Sequence, residues 1–461
     1  MKFINREIEL KALRDKWAKG SSQLIIVYGK RRVGKTELIK QFIKGREAVY
    51  FLADKRSSLE QLRELGQIIG DMFNDDILKS RGFENWLEAF NYIKKRKKGK
   101  FILAIDEYPY LVEADKSISS VFQKGWDESL KGAGIFLILS GSSIGMMESE
   151  ALTYRAPLYG RRTGQILIKP LLFKEARQFF PKKNFDECLS IYTITGGIPA
   201  YILQWDPALS VDDNIKEKVF LYTEFLHNEV EFILKEEFRE PKNYLSILRA
   251  ISWGKRKFGE IVNETGLEKS FLTKYLMTLE RLQIIEREVP VTEESPQKSR
   301  KGLYAITDNF FRFWFQYVFP YKSDLEIQRY DEVLRKMRES FKMLEGWTYE
   351  TVCRQMISDF RDELFTFERS GKWWEDEKEI DVVALNSQTK DILFGEAKWS
   401  EKQVGANIYA QLKEKAARVD WKKASRKEHY ILFSKSGFTK DMIELARKDG
   451  AHLIHKDKLI V

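Results

Sequence analysis

Short runs of apolar residues alternate with amphipathic segments over the first 165 residues of this chain. Each run has the length of a buried strand, and the segments between them have the spacing of helices. The apolar runs span residues 24–28, 48–52, 101–105, 135–140 and 165–169. Strands that alternate with helices are typical of a parallel sheet covered by helices. The pattern therefore predicts an α/β domain over residues 1–165.

The pattern changes to helices over residues 166–240. Amphipathic segments cover 173–180 and 185–192, and a Gly-Gly-Ile-Pro break then precedes a new helix with Pro199 near its start. We interpret this region as a helical lid.

Residues 241–325 give a third pattern, in which short helices precede two strands. The helices are predicted at 244–251, 258–265 and 268–282, and the strands at 284–289 and 303–306. This order is that of a winged helix-turn-helix. An aromatic segment at 310–319 is too short to cross a membrane and is expected to be a buried helix. Residues 326–461 then form a second α/β domain, with strands at 379–384 and 392–398.

A glycine-rich turn follows the first apolar run. Residues 29–36 read GKRRVGKT and fit the pattern GxxxxGK[ST] between a strand and a helix. Glycines at this spacing let backbone N–H groups face a phosphate, and the helix offers its positive N-terminus to the same anion. Lys35 is expected to reach the β- and γ-phosphates, and Thr36 to place its hydroxyl on Mg²⁺. We predict an ATP and Mg²⁺ site formed by Gly29, Lys30, Arg31, Arg32, Val33, Gly34, Lys35, Thr36 and Glu37.

Two acids follow the strand at 101–105. Asp106 is expected to hold the Mg²⁺ shell through water, and Glu107 to orient or deprotonate the attacking water. Small hydroxyl residues follow the strand at 135–140, and either Ser140 or Ser142 is expected to sense the γ-phosphate.

Paired arginines precede the fifth predicted strand. Arg161 or Arg162 is expected to meet the γ-phosphate, either in this chain's own site or in that of a neighbouring subunit. The alternative is a solvated pair of loop arginines, which is common in basic chains.

Composition narrows the class of protein. The 461 residues carry 79 basic and 69 acidic side chains, and the net charge of +10 favours an anionic partner without requiring nucleic acid. Cys188 and Cys353 fit no metal-binding spacing, which indicates a reducing, cytoplasmic setting. The N-terminus is charged throughout, and no apolar run approaches the roughly 18 residues of a membrane span. We therefore expect a soluble, intracellular protein with no membrane partner.

Basic residues occupy two expected DNA-contacting positions in the predicted winged helix. Lys269 and Lys274 lie near the start of the recognition helix, and Lys298, Arg300 and Lys301 lie on the wing tip. Contacts to DNA phosphates are expected there. Such domains also bind proteins, which remains the alternative.

The last segment carries a second group of chemical residues. Asp381 stands at the head of one predicted strand, and Glu396 and Lys398 end the next as E-x-K. Two carboxylates from adjacent strands can share Mg²⁺, and the lysine steadies a phosphate or the attacking water. Glu350, on the preceding helix, is a third candidate acid. In the alternative, Asp381 and Lys398 merely pair in a binding domain without activity.

The ordered motifs resemble the archaeal ATPase family of AAA+-like, STAND-related P-loop proteins. They are FINREIELKAL, GKRRVGKT, FILAIDE, LILSGSS, PLYGRR and TGGIPAY. The resemblance implies a helical lid whose turn brings Pro199 to the nucleotide, and it implies Arg161 or Arg162 as the arginine finger of a homo-oligomer. The final quarter resembles the PD-(D/E)xK nuclease superfamily, although Ile380 stands where proline is usual.

These features together predict a Mg²⁺-dependent ATPase coupled to DNA binding or processing, with metal-dependent DNA cleavage by the last domain. The alternative is a nucleotide switch that controls assembly with a protein partner, in which the last domain only binds. The expected architecture is a P-loop core at 1–165, a lid at 166–240, a winged helix at 241–325 and a nuclease-like domain at 326–461.

Overall fold

The computed structural model describes residues 3–461, and these residues form two compact units. The first unit holds residues 3–171 together with Ile198–Ala200, and the second holds Leu172–Gly197 and Tyr201–Val461. The first unit therefore contains the predicted P-loop core. The finer division of the second unit into lid, winged helix and nuclease-like domain stays a prediction.

The first unit is built on a five-stranded sheet in the order β2-β3-β4-β1-β5. All its neighbouring strands are parallel. The strands are β1 Gln23–Tyr28, β2 Ala48–Leu52, β3 Phe101–Asp106, β4 Ile135–Gly141 and β5 Gly164–Leu167. Every residue of β1, β3 and β4 is buried, which explains why these strands read as continuous apolar runs. The predicted α/β sheet is confirmed.

Helices cover this sheet. They are α1 Glu7–Ala18, α2 Lys35–Ile43, α3 Ser58–Phe73, α4 Asp76–Arg81, α5 Trp86–Arg96, α6 Tyr108–Ala114, α7 Ile118–Gly125 and α8 Ile144–Met147. Apolar side chains of α3, α5 and α7 pack with one face of the strands into a continuous core. Local signals fix several ends, as at α3, where Ser57 and Glu60 form a reciprocal capping box.

The second unit begins with helices and a small hairpin. Its first elements are α9 Phe173–Ala176, α10 Phe185–Thr195, α11 Pro199–Ile202 (which begins in the first unit), α12 Val211–Asn214, α13 Glu229–Glu237, α14 Lys242–Ser252, α15 Phe258–Thr265, α16 Lys269–Arg281, β6 Ile285–Glu288, β7 Leu303–Ile306 and α17 Asn309–Tyr317. β6 and β7 pair antiparallel, so three helices are followed by a two-stranded hairpin. Phe310, Phe313 and Trp314 are fully buried, as expected of the aromatic helix.

The rest of the second unit is a mixed sheet with flanking helices. Its elements are α18 Lys322–Glu326, α19 Tyr330–Met356, β8 Arg369–Glu375, β9 Lys378–Asn386, β10 Asp391–Lys398, α20 Ala406–Ala416, β11 Lys427–Ser434, α21 Lys440–Asp449, β12 His452–His455 and β13 Lys458–Leu459. The strand order is β13-β12-β11-β10-β9-β8. β10 is antiparallel to β9 and parallel to β11, because α20 carries the chain back between β10 and β11.

We expected Asp381 at the head of its strand. It is instead the fourth residue of β9, so it lies inside this strand. Within residues 3–461, no helix combines the length and the apolar composition that crossing a membrane requires.

Candidate functional site

The glycine-rich turn follows β1 and leads directly into α2. Gly34 has φ +93° and Gly29 has φ +154°, and a Cβ at Gly29 would overlap the backbone oxygen of Ile168. Both positions therefore require glycine. The Nζ of Lys35 donates to the backbone oxygens of Gly29 (3.1 Å) and Lys30 (2.9 Å), so its ammonium lies inside the curl of the loop. Glu37 lies in the first turn of α2 and is exposed.

A residue that we did not predict supports this loop from outside. Arg6 is buried, and its guanidinium donates to the backbone oxygens of Val33 (3.1 Å) and Lys169 (2.7 Å). Its sequence signal was only its place in the opening motif. On another side of the loop, the ring of Pro199 stands 4.0 Å from the point where a Cβ on Gly34 would be. Pro199 therefore lies beside the loop within the first unit, and its contact with a nucleotide stays a prediction.

The carboxylate of Asp106 joins three elements at the end of the loop. Its Oδ2 accepts hydrogen bonds from the Thr36 hydroxyl (2.6 Å) and from the Tyr50 hydroxyl (2.9 Å). Its Oδ1 accepts from the backbone N–H of Glu107 (3.0 Å), and Asp106 is fully buried. Burial raises the pKa of Tyr50, and the charge of Asp106 raises it further, so Tyr50 stays a donor at neutral pH. Sequence reasoning missed Tyr50.

Glu107 is held at the tip of the neighbouring strand. It adopts φ +53°, in the left-handed region that non-glycine residues rarely occupy. The backbone N–H of Ser142 donates to its Oε2 (3.2 Å), and the Ser142 hydroxyl donates to its Oε1. Ser140 is fully buried, and its hydroxyl has no hydrogen-bond partner among the described residues. Of the two candidate serines, the structure therefore places Ser142 at Glu107.

These groups meet at one edge of the sheet because β1, β3 and β4 are parallel. The loop after Tyr28, the acids after Ile105 and Ser142 after Gly141 all follow the carboxyl ends of their strands. This edge is the usual position of ligand sites in open α/β sheets. The edge combines a loop able to hold an anion, a buried acid that contacts a hydroxyl, and a second acid fixed by hydrogen bonds.

Arg161 and Arg162 lie elsewhere. The N–H of Thr163 donates to the oxygen of Leu24, and β5 then runs parallel to β1, so both arginines precede the amino end of β5. That is the sheet edge opposite the phosphate loop. Arg161 pairs with Asp127 (2.9 Å), and Arg162 donates to backbone oxygens of the segment before it. The structure does not bring either arginine to this chain's own loop.

A second group of charged residues lies in the mixed sheet. Carboxylate oxygens of Glu350, Glu379 and Asp381 all lie within 4.8 Å of one another. Burial raises the pKa of Asp381 to about 7, and the charges of Glu350 and Glu396 act in the same direction. Glu350 was a predicted third acid. Glu379 was missed, although its position two residues before Asp381 on one strand was a usable signal.

Glu396 lies beside this carboxylate cluster but has its own partners. Val382 pairs with Gly395 across the two strands, and the N–H of Ala397 donates to Asp381 Oδ2 (2.9 Å). The oxygens of Glu396 accept from Lys398 (2.7 Å) and from Lys415 (3.0 and 2.9 Å). The structure therefore brings Asp381, Glu396 and Lys398 together, but lysines neutralise Glu396. Lys415 was missed because it belongs to α20.

Another lysine lies within the carboxylate cluster. The Nζ of Lys372 is 2.5 Å from Glu350 and 3.0 Å from Glu379. Gly371 pairs with Val383 and Trp373 with Ile380, so a β-bulge sets Lys372 opposite two residues of β9. Bulges re-aim side chains in this way. An ammonium group therefore occupies the side of the cluster formed by the two glutamates.

The predicted DNA-contacting residues are all exposed. Lys269 and Lys274 lie on α16, and Lys298, Arg300 and Lys301 lie on the loop between β6 and β7. This loop contacts β8: the N–H of Val291 donates to Lys372 O (2.9 Å), and Trp374 Nε1 donates to Lys301 O (3.2 Å). Lys301 is also 3.6 Å from the carboxylates of Glu293 and Glu375.

Comparison with known proteins agrees with the geometry of the phosphate loop. Residues 3–205 match a family model described as an ATPase domain predominantly from Archaea. Residues 314–418 match a second model, described as "Archaea bacterial proteins of unknown function". The Walker-type ATPase PABY2304 of Pyrococcus abyssi has a similar fold, with a TM-score of 0.52 at 20% identity over 68% of this chain and 96% of that chain.

Two proteins of Methanocaldococcus jannaschii are similar in sequence. The ATP-binding protein MJ0423 is 51% identical over 45 residues, which cover 10% of this chain and 76% of that protein. MJECL04 is 35% identical over 455 residues, which cover 95% of this chain and 100% of that protein. The chain therefore belongs to the same family as MJECL04, and its residues 3–205 carry an ATPase domain of a type found predominantly in Archaea.

Proposed function

We propose that this chain is a Mg²⁺-dependent ATP hydrolase whose turnover is coupled to DNA binding. The observation that carries the proposal is the contact of 2.6 Å between the Thr36 hydroxyl and the buried carboxylate of Asp106, next to the phosphate loop. Both are hard oxygen donors, which fits Mg²⁺. When bound, Mg²⁺ would offset the negative charge of the β- and γ-phosphates.

Each residue at this edge then has a role. The backbone N–H groups of the loop and the ammonium of Lys35 hold the phosphates. Glu107 orients the attacking water or accepts its proton. Ser142 fixes the Glu107 carboxylate through two hydrogen bonds. Arg161 or Arg162 serves a neighbouring copy, since both lie at the opposite edge of their own sheet.

The three helices α14–α16 with the β6–β7 hairpin are our proposed winged helix. The exposed side chains of Lys269, Lys274, Lys298 and Arg300 support a role in contacting DNA phosphates. Lys301 contributes less in this state because its ammonium faces two carboxylates.

The mixed sheet is our proposed nuclease-like domain. Glu350 and Asp381 would hold a divalent metal, because their oxygens lie within reach of one ion. Oxygen ligands suit Mg²⁺ or Mn²⁺, which would supply Lewis-acid assistance to phosphodiester cleavage when bound. Glu396 and Lys398 would complete the site, with Lys398 positioned to steady a phosphate or a water.

Steady-state ATP turnover, measured with and without duplex DNA, tests the main proposal. We expect Mg²⁺-dependent turnover that DNA stimulates, and Lys35→Ala should abolish it because the phosphate contact is lost. Lys44→Ala is the matched control, since Lys44 is exposed beyond the other end of α2. Normal turnover by Lys35→Ala would refute the proposal.

A nucleotide switch with a protein partner is the second candidate function. It is favoured by the contacts of Val291 and Lys301 with β8, because they occupy part of the proposed wing. A switch would hydrolyse ATP slowly, at a rate that DNA does not change.

Fluorescence anisotropy with labelled duplex DNA separates the two candidates. DNA binding should weaken steeply with salt, and removing Lys269 and Lys274 should lower the slope of log K against log salt by about 0.9 per lost phosphate contact.

Nicking of supercoiled plasmid tests the proposed nuclease site. Wild-type protein with Mg²⁺ or Mn²⁺ is expected to cut, and Lys398→Ala is expected to be inactive. If the wild-type protein cuts none of plasmid, linear duplex and single-stranded DNA with either metal and ATP, the nuclease proposal is refuted and the domain only binds.

A further inference from the structure

A cavity of about 360 Å³ lies in the second unit, next to the carboxylate cluster of Glu350, Glu379 and Asp381. One stripe of α19 forms a wall of it. Trp347, Glu350, Thr351 and Arg354 are spaced as i, i+3, i+4 and i+7, so all of them face the cavity. Its other charged lining residues come from the three-helix and hairpin segment, from α17 and from β8 and β9.

The charges that line this cavity do not cancel. Arg256 pairs with Glu288, and Lys372 pairs with Glu350 and Glu379. Two further guanidinium groups, those of Arg312 and Arg354, also line the cavity. They donate only to uncharged groups: Arg312 to the oxygen of Ile306 (2.7 Å), and Arg354 to the oxygen of Asp381 (3.0 Å) and the hydroxyl of Thr351 (2.9 Å).

Neither arginine has a carboxylate at ion-pair distance anywhere in residues 3–461. Burial has the largest effect on the pKa of Arg312 and lowers it, and the nearby Arg256 acts in the same direction, whereas the carboxylates of Glu288, Glu286 and Glu350, all beyond ion-pair distance, raise it. A cation in such a place is costly unless an anion offsets its charge. The arrangement therefore favours an anionic ligand in the cavity.

We propose that the cavity binds a nucleoside monophosphate unit, with its phosphate on Arg312 and Arg354 and its base against Trp347. Guanidinium groups suit phosphate because their fork of donors matches its oxygens. Trp347 is 38% exposed and lines the cavity, so its indole can offer a face on which a base stacks. A volume of about 360 Å³ lies in the range of small-ligand sites. This inference goes beyond the proposed function, because it needs neither ATP turnover nor DNA cleavage.

The ligand chemistry has two sources, a free mononucleotide and the phosphorylated end of a DNA strand. The cavity adjoins the carboxylate cluster, so a strand end in it would place the next phosphodiester toward those acids. The experiment below distinguishes the two sources.

Isothermal titration calorimetry on the full chain tests the proposal, in a Lys35→Ala background that removes binding at the phosphate loop. The probes are deoxyadenosine monophosphate, deoxyribose 5-phosphate and deoxyadenosine. We expect the monophosphate to bind, and Arg312→Met and Arg354→Met each to weaken it about tenfold or more. Trp347→Ala should weaken the binding of deoxyadenosine monophosphate but not that of deoxyribose 5-phosphate, which has no base to stack. Arg335→Met is the control, because Arg335 is exposed elsewhere on α19.

Short oligonucleotides with and without a 5′-phosphate give the second arm. Tighter binding of the phosphorylated strand, lost in the two arginine variants, identifies a strand end. Binding of the mononucleotide alone identifies a free nucleotide. If Arg312→Met lowers the melting temperature, Arg354→Met and Trp347→Ala carry the test. If the Lys35→Ala protein binds none of the phosphorylated probes, or if all three variants bind them unchanged, the pocket is refuted. ATP turnover by the protein with Lys35 intact is measured separately, so the proposed function stands or falls on its own.

Discussion

Glu107 shows how one residue at the ATPase edge depends on another. Its carboxylate is held by the N–H and hydroxyl of Ser142, in a backbone conformation that this contact helps to maintain. Glu107→Gln should bind ATP and trap it, because only the water-orienting carboxylate is lost. Ser142→Ala should lower kcat about tenfold while ATP affinity stays unchanged, since one hydrogen bond to a charged group is removed. Nucleotide trapping and steady-state turnover measure both effects.

Ser143→Ala is the control for that comparison, because Ser143 is the next residue along and its side chain makes no capping hydrogen bond. Wild-type hydrolysis by Glu107→Gln would remove Glu107 from its role. Equal kcat in Ser142→Ala and wild type would show that Ser142 is not needed to position the Glu107 carboxylate.

Arg6 makes a second prediction at this scale. Replacing it with methionine leaves the backbone oxygens of Val33 and Lys169 without their donor, at a cost of about 1–3 kcal/mol in the free energy of unfolding. The phosphate loop should also lose its support, so ATP affinity should fall. Denaturant unfolding and nucleotide titration measure the two effects. Lys11→Met is the control, because Lys11 is exposed on α1, the helix that follows Arg6. A stable variant with normal ATP affinity would show that Arg6 is dispensable.

The residues of the phosphate loop could be predicted because their geometry is local. Eight consecutive residues carry the turn, and the flanking strand and helix are adjacent in sequence. Arg6 and Tyr50 could not be found this way. Arg6 contacts Val33 from 27 residues away, and Tyr50 contacts Asp106 from 56 residues away, so only the folded sheet brings them together.

At the scale of elements, the bulge between β8 and β9 decides what the carboxylate cluster contains. It sets Lys372 against Glu350 and Glu379, where the ammonium would compete with the proposed divalent cation. Lys372→Met should therefore raise Mn²⁺ affinity, by about tenfold if one opposing positive charge within 4 Å is removed. Electron paramagnetic resonance of free Mn²⁺, without nucleotide, measures the change.

Lys378→Met is the matched control for that experiment, since Lys378 is exposed on the same hairpin. A fall in Mn²⁺ affinity in Lys372→Met would show that the lysine assembles the cluster and does not compete with the metal.

Most strands and helices could be predicted, because burial on both faces or on one stripe leaves a pattern in the sequence. β2, α15 and β7 have the predicted bounds. The bulge left no such pattern, since it depends on the pairing of two strands and not on either alone. We expected Glu396 to be a metal ligand and did not foresee its contact with Lys415. That contact also depends on the folded structure, because α20 follows β10 in the chain and folds back on it.

At the scale of the whole molecule, the first unit includes a short segment that we had assigned to the following lid. Ile198–Ala200 groups with residues 3–171, although the segments on both sides of it belong to the second unit. The Gly-Gly-Ile-Pro turn thus places a segment of the predicted lid beside Gly34. A sequence pattern shows the order of helices and strands along the chain. It does not show that a short segment packs with residues far from it in sequence.

The position of Arg161 and Arg162 makes a prediction about assembly. Both precede the amino end of β5, opposite the phosphate loop, so an arginine finger from this pair must act on a neighbouring copy. If Arg161 is the finger, Arg161→Ala and Lys35→Ala should each be inactive alone. Their mixture should regain turnover, because the first variant supplies an intact phosphate loop and the second supplies the arginine. An arginine finger contributes about 10³-fold or more to kcat, so the recovery should stand well above background.

The same mixture made with Arg162→Ala identifies which arginine acts. Arg162 also donates to the backbone oxygens of Ala151 and Leu152, so its variant is first checked for a normal melting temperature. Arg155→Ala, exposed in the preceding loop, should keep its own activity and serves as the control. Full activity of Arg161→Ala and of Arg162→Ala alone would assign the pair to the stability of the sheet edge, where Asp127 and those backbone oxygens already bind them. Inactive arginine variants whose mixtures stay inactive would instead refute a finger supplied by a neighbouring copy.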